Sequence, residues 1–220
     1  MKKLCNLSFL GILLISYGCC ITRPNCNPEE GNFKYGPEIS YRTSSYWGED
    51  AKDEDLKHTG GIGLGGYVHW TFCEDYPAMG IYSGLFYNQF GARYPDDGSG
   101  ETLKDRLSYL TIPFTFTYDV YKGIRVEAGP DLSFLLAAKE IYKYNGQKET
   151  YDFKEDVSKV QIGFNLAVSY IYEPLGLGGF IRYNGGFNKV PSSDFDTKAY
   201  NGGISFGARY HLNHLFYKGN

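Results

Sequence analysis

The sequence has four histidines, His58, His69, His211 and His214, the side chains best suited to moving protons near neutral pH. Alternation of residue character along their segments sets His69 and His211 on inward positions, near the ends of strands that flank the first strand. That placement would bring the two rings towards each other. No serine or carboxylate can be tied to either at triad spacing, and GxSxG is absent, so a hydrogen-bonded structural pair outweighs a catalytic one. The run GIGLGG at 61–66 superficially suggests a phosphate loop. It lacks a following helix and a Lys-Ser/Thr, so glycine packing inside a strand is the better account. No enzyme activity and no cofactor are expected.

Five cysteines, Cys5, Cys19, Cys20, Cys26 and Cys73, form no CxxC pair and have no histidine cluster beside them, which argues against zinc. Cys19 follows Gly18 directly after an apolar run, as in the lipobox of a bacterial lipoprotein, although Ser16 and Tyr17 fit that pattern poorly. Lipid attachment at Cys19 and ordinary signal cleavage nearby are therefore equal readings. Lys2 and Lys3, the apolar run from Leu7 to Ile15 and the small residues after it have the anatomy of an export signal. Past it, Cys20, Cys26 and Cys73 would meet an oxidising compartment, with their disulfide state open.

A third set of reactive side chains is ionic. Lys34, Glu38 and Arg42 share one face of the first alternating segment, and Arg125, Glu127 and Asp131 share one face of another. Arg182 and Arg209 take the same face of two later segments. Mixed signs on a closed interior surface mean paired networks, because an unpaired buried charge costs several kcal/mol. A plug of ion pairs filling a narrow barrel is favoured over a proton or solute path, since eight strands leave room for side chains but not for a channel.

The elements that must hold these residues are strands. Between 124 and 138 one face reads Ile124, Val126, Ala128, Pro130, Leu132, Phe134, Leu136, and the other Arg125, Glu127, Gly129, Asp131, Ser133. Segments 109–118 and 160–172 repeat the pattern, and 33–43, 61–72, 80–93, 177–187 and 203–212 follow it with varying clarity, 80–93 least regularly. Eight such segments make an even number, as a closed up-and-down barrel requires. The chain's 21 Tyr, 15 Phe and 28 Gly also favour strands over helices. No apolar run reaches the roughly 20 residues of a membrane helix, so membrane residence would require a barrel.

Connections alternate in length: 47–58, 95–106, 139–158 and 188–199 are long, whereas 73–78, 119–123 and 173–176 are short. Short periplasmic turns and long outer loops are the outer-membrane arrangement, which sets both termini in the periplasm. In the longest excursion Asn145-Gly146 between tyrosines predicts a hairpin on a type I′ turn. A soluble lipocalin-like ligand binder would also alternate, but its outward polar positions would be rich in Lys and Glu. Here they are chiefly Gly, Ser, Thr and Asn, which suit a narrow interior, so the bulky apolar set belongs in lipid. Tyr41, Trp70, Tyr118, Tyr172 and Tyr210 suit the interfacial girdles. A net charge of -3 and the expected lack of a basic stripe argue against a nucleic-acid partner.

LSYLTIPFTFTYDVYKGIRVEAGPDLSFLLAAK at 107–139 resembles the Tyr-Leu-x-Ile-Pro, short link, Gly-Pro and apolar strand of the PorT-like outer-membrane β-barrel family of Bacteroidetes. GGFIRYNGGFNKV at 178–190 is similar to the same family's Arg-Tyr strand, and NFKYGPEISY and ISFGARYHL resemble its first and last strands more loosely. The resemblance implies a small outer-membrane barrel without a defined activity, with some relatives serving as components of secretion assembly. One departure is the run past Leu212, where Phe216 or Tyr217 takes the place of a terminal aromatic. The expected organisation is an export signal at 1–19, a periplasmic segment at 20–32, and an all-β, eight-stranded antiparallel transmembrane barrel at 33–217. Two function classes follow: a membrane scaffold with protein partners at its extracellular loops or periplasmic turns, or a barrel enzyme acting on lipid or protein. Outer-membrane lipid is the partner common to both.

Overall fold

The computed structural model describes residues 32–49, 51, 56–73, 78–95, 101–144, 146–191 and 198–212, without the side chains of Asn32, Phe72 and Cys73. The export signal, Cys5, Cys19, Cys20, Cys26, His214, Phe216 and Tyr217 lie outside the described residues, as does Asn145 of the predicted turn. Ten strands occur: β1 (Asn32–Trp47), β2 (Lys57–Cys73), β3 (Met79–Phe90), β4 (Ala92–Arg93), β5 (Thr102–Tyr121), β6 (Ile124–Tyr144), β7 (Gln147–Asp152), β8 (Val160–Tyr172), β9 (Leu177–Gly186) and β10 (Tyr200–Tyr210). Eight of them close a ring in the order β1, β2, β3, β5, β6, β8, β9, β10, and β10 returns to β1. All pairs are antiparallel, and closure leaves the ring without an edge strand.

The two short strands have local causes. β4 continues the line of β3 past Gly91, whose φ of +151° is a conformation L side chains rarely adopt. This break explains why 80–93 alternates poorly. β7 is the return arm of a hairpin with β6, and Tyr144 pairs with Gln147 across the predicted turn, where Gly146 has φ +79°. At the other end Tyr121 pairs with Ile124, and Gly123 at φ +81° permits the two-residue link.

β5 and β6 run well past their sequence-predicted limits of 109–118 and 124–138. Backbone groups of the long excursion stay paired beyond the lipid, Thr102 with Lys143 and Lys104 with Ile141. A bulge lies between Ser108 and Tyr109 opposite Ala137 and Leu135, so alternation slips by one residue in β6 after Leu135.

Facing follows the alternation. On β8 Leu166 and Val168 are 51% and 54% exposed, while Asn165 and Ser169 are each 2% exposed. From Leu110 to Val120 the outward side of β5 spans about 33 Å of strand at roughly 3.3 Å per residue, or about 25 Å across a bilayer at a tilt near 40°. That height matches the apolar band a membrane barrel needs. Phe33 stacks on Trp70 at one end of β1, and Trp47 stacks on Tyr200 at the other, with centroids 6.0 and 4.9 Å apart. Tyr41, grouped with the girdle in the sequence, instead sits mid-strand opposite Ile62 and Phe206.

The lumen is less polar than the sequence suggested. Tyr67, Tyr82 and Phe86 form one buried aromatic stack, and Phe90, Leu107, Tyr109, Leu135, Ala138, Val157 and Val190 form an apolar cap at the long-loop end. Glycines make room for the rings: a Cβ on Gly207 would lie 2.3 Å from the Phe180 ring, and one on Gly84 would lie 2.7 Å from that of Phe86. GIGLGG lies wholly within β2, where Gly63 abuts Ser40 and Asn88 across the lumen wall.

Leu166→Arg sets a cation at mid-band on the outer face. Urea unfolding in phosphatidylcholine vesicles should show a loss of roughly 2–4 kcal/mol. A change within about 0.5 kcal/mol, typical of a solvated surface site, would mean that this face does not meet lipid.

Candidate functional site

The strand register converges four of the predicted lumen charges on one layer. Glu38 on β1 faces Arg209 of β10, Arg182 of β9 lies between Ser205 and Ala167, and Ala167 in turn faces Glu127 of β6. Arg182 Nη1 donates to Glu38 Oε1 at 2.8 Å, and Arg209 Nη1 and Nη2 donate to Glu127 Oε1 and Oε2 at 2.8 and 3.2 Å. The ring closes through Arg209 Nε, 3.1 Å from Glu38 Oε2, and Arg182 Nη2, 3.8 Å from Glu127 Oε2.

All four side chains are buried, and two cations against two anions leave the layer neutral. Neutral walls complete it: Tyr82 donates to Glu38 Oε2 at 2.8 Å and Ser169 to Glu127 Oε1 at 2.7 Å. The Phe180 ring lies 4.4 Å from the Arg182 guanidinium and 4.9 Å from that of Arg209. Charged hydrogen bonds on edges and aromatic rings on faces surround both guanidinium planes, with Arg209 Nε held by ion pairing to Glu38 without a hydrogen bond.

The remaining predicted charges go elsewhere. Arg42 donates from Nη2 to Asn184 Oδ1 at 3.1 Å and lies 4.1 Å over the Phe90 ring, while its Nε and Nη1 make no hydrogen bond to protein. Asn184 also donates to Asp131 Oδ2 at 3.2 Å, so one amide relays between cation and anion. Arg125 turns to the short-turn mouth, where its Nε and Nη2 donate to Asp119, and Lys34 donates to Glu173 Oε1 at 2.7 Å. Asp119 and Glu173 were not among the predicted site residues. Both sit in or beside the short turns, and turn position gives no alternation to read.

His69 and His211 do not pair. His69 Nε2 lies 2.8 Å from Thr117 Oγ1, and its Nδ1 lies 3.5 Å from Arg125 Nη1. Tyr67 Oη lies 2.7 Å from His211 Nδ1 and donates to the Tyr210 carbonyl at 3.1 Å. Among the described residues neither ring is hydrogen-bonded to a serine, and no group of three His, Cys, Asp or Glu side chains is arranged to hold a metal ion. The arrangement can fill and neutralise a lumen; the hydroxyls that lie beside possible bases, Thr117 at His69 and Ser169 at Glu127, are themselves buried.

With this geometry in view, residues 24–192 match the family described as the outer membrane protein beta-barrel domain. The chain belongs to that family. It is an outer-membrane barrel, and its apolar outer face therefore meets lipid. No curated protein sequence matches the chain. Among solved structures it is similar to Ail, the attachment invasion locus protein of Yersinia pestis, with TM-score 0.45 and 13% identity over 82% of this chain and 99% of that one. Neisserial surface protein A is similar with TM-score 0.43 and 15% identity, covering 83% and 99%. The N-terminal barrel domain of Pseudomonas aeruginosa OprF follows at TM-score 0.38 and 11% identity, covering 81% and all 100% of that domain.

His211 follows β10 at the short-turn mouth, and burial first, with Lys34 adding repulsion, brings its pKa down to about 4. An unfolded histidine titrates near 6.5. The unfolded chain therefore takes up a proton that the folded one refuses, and this contribution to stability is intact above about 6.5 and declines as pH falls towards 4. His211→Gln should flatten the fall of the unfolding midpoint across that window in detergent micelles. An unchanged slope would mean that His211 titrates as a solvated imidazole.

Proposed function

We propose that this barrel is a plugged, non-catalytic membrane scaffold that presents protein-binding surfaces on its outer loops or periplasmic turns. The observation that carries the reading is the closed ring of Glu38, Arg182, Glu127 and Arg209, roofed by the apolar cap around Phe90, Leu107 and Tyr109. An open pore would leave a hydrated path beside these groups, whereas here the arginines are sandwiched between carboxylates and rings.

The long connections gather at one end of the barrel and the tight links at 122–123 and 173–176 at the other. By the usual outer-membrane arrangement the tight links are periplasmic, and with them the start of β1 and the end of β10, so both termini lie in the periplasm. An export signal at 1–19, cleaved ahead of a periplasmic segment at 20–32, fits that topology. The likeness of 107–139 and 178–190 to PorT-like sequences supports a role in envelope assembly or secretion. A partner recognised there would be a protein or outer-membrane lipid, not nucleic acid.

Planar-bilayer recording tests the plug. The wild type should give no steady conductance above the bilayer baseline, and Arg182→Ala should produce intermittent openings by removing one member of the ring. A stable, large, open wild-type channel would overturn the reading.

A further inference from the structure

Outside the lumen, cations scattered through the sequence meet on the outer wall. Arg93 of β4 is the direct cross-strand partner of Lys104 on β5, Arg106 of β5 that of Lys139 on β6, and Lys143 of β6 that of Lys148 on β7. Lys57 of β2 also faces Arg93. Side chains directly opposite on a sheet lie about 5 Å apart at Cβ, and like charges so placed repel. Folding nevertheless sets four such pairs side by side. None of these cations forms an ion pair within the described residues, and the buried Nε of Arg106 has no hydrogen-bond partner.

Among the described residues, two acids near them have other hydrogen-bond partners. Glu101 hydrogen-bonds with Tyr142, and Asp152, opposite Lys139 in register, accepts from the Lys154 backbone N–H. Arg106, Lys143 and Arg93 all lie close enough to the Lys104 amine to repel it. Between them runs an open cleft of about 270 Å³ lined by His58, Arg93, Thr102, Lys104, Ile141 and Lys143.

Position identifies what would neutralise the cluster. On β5 the outward side reads Tyr118, Phe116, Phe114, Ile112, Leu110, then Ser108, Arg106, Lys104; on β6 it reads Leu132, Phe134, Leu136, then past the bulge Ala137, Lys139, Ile141 and Lys143. The cations thus begin where the apolar band ends, at the long-loop boundary of the bilayer, on the side that faces lipid and not the lumen. We infer that this wall is a binding site for the phosphate of an anionic lipid headgroup, whose acyl chains lie along Leu110, Phe114 and Phe134. A phosphate bearing two or more negative oxygens can accept from Arg106 and Lys139 while Lys104 and Lys143 hold it from the cleft side. The inference needs the membrane-spanning barrel but not the plugged lumen.

The test compares protein refolded into phosphatidylcholine vesicles with protein refolded into the same vesicles containing phosphatidic acid. Two readouts apply: the temperature at which the folded gel band is lost, and the phosphatidic acid retained after extraction in neutral detergent. The wild type should gain several degrees with phosphatidic acid and retain it. Arg106→Gln/Lys139→Gln and Lys104→Gln/Lys143→Gln should fold in phosphatidylcholine at least as stably as the wild type, because repulsion is relieved, yet lose both the gain and the retained lipid. Lys122→Gln, at the opposite boundary, should keep both. Equal gains in the double variants, an equal loss in Lys122→Gln, or the same gain from inorganic phosphate added to phosphatidylcholine vesicles would each overturn the headgroup site. Failure of the wild type to fold in either vesicle would remove the membrane barrel and the site together, whereas a folded barrel indifferent to phosphatidic acid removes the site alone.

Discussion

The constraint on which the structure depends is that an eight-stranded ring encloses too little space to hydrate a full charge, so ionised groups pointing inward need partners from the wall around them. Glu38 and Glu127 stand on opposite sides of the lumen, and Arg182 and Arg209 reach both. This couples β1, β6, β9 and β10 through side chains in addition to their backbone ladders. Such a quartet is poor evidence for net stability, since well-packed apolar residues could fill the same volume. It is good evidence for specification: a one-residue slip of any of the four strands would turn its charge into lipid.

The outer wall obeys the opposite rule. Lipid offers no ionic partner, so the exposed positions between the girdles are chiefly Ile, Leu, Val and Phe, joined by Tyr41 and Tyr183, and on β5 and β6 charges resume beyond Leu110 and Phe134. The same register that sorts inside from outside also decides which charges neighbour one another at the rim. Arg93, Lys104, Arg106, Lys139 and Lys143 form no run in the chain, yet strand pairing makes them a patch. No basic stripe is expected from the sequence, and strand pairing corrects that expectation, because these cations are neighbours only across strands.

Much of the barrel was legible because alternation and closure are backbone properties. The strand count, the facing of β6 and β8, and the inward placement of Glu38, Glu127, Arg182 and Arg209 follow from period two alone. Partner choice did not follow: Arg125 looks equivalent to Arg209 in the sequence, but register sets it beside Asp119 at the mouth. The aromatic filling was also missed. Tyr82, Phe86 and Phe180 occupy inward positions and read as lapses in alternation, although glycines, Gly65 opposite Phe86 and Gly207 opposite Phe180, leave the space that a ring requires. The apolar cap was hidden by the bulge near Leu135, which shifts the facing of the residues that follow.

The central claim is that the charges in the lumen are held as a coupled set, not as independent buried groups. A double-mutant cycle at Glu127 and Arg209, read by urea unfolding in phosphatidylcholine vesicles, tests it most directly. Glu127→Gln and Arg209→Gln should each cost roughly 3–5 kcal/mol by stranding the other partner's charge, and the double variant should cost less than their sum by roughly 2 kcal/mol or more. Losses that add within about 0.5 kcal/mol would show two charges that do not need one another, and would contradict the account.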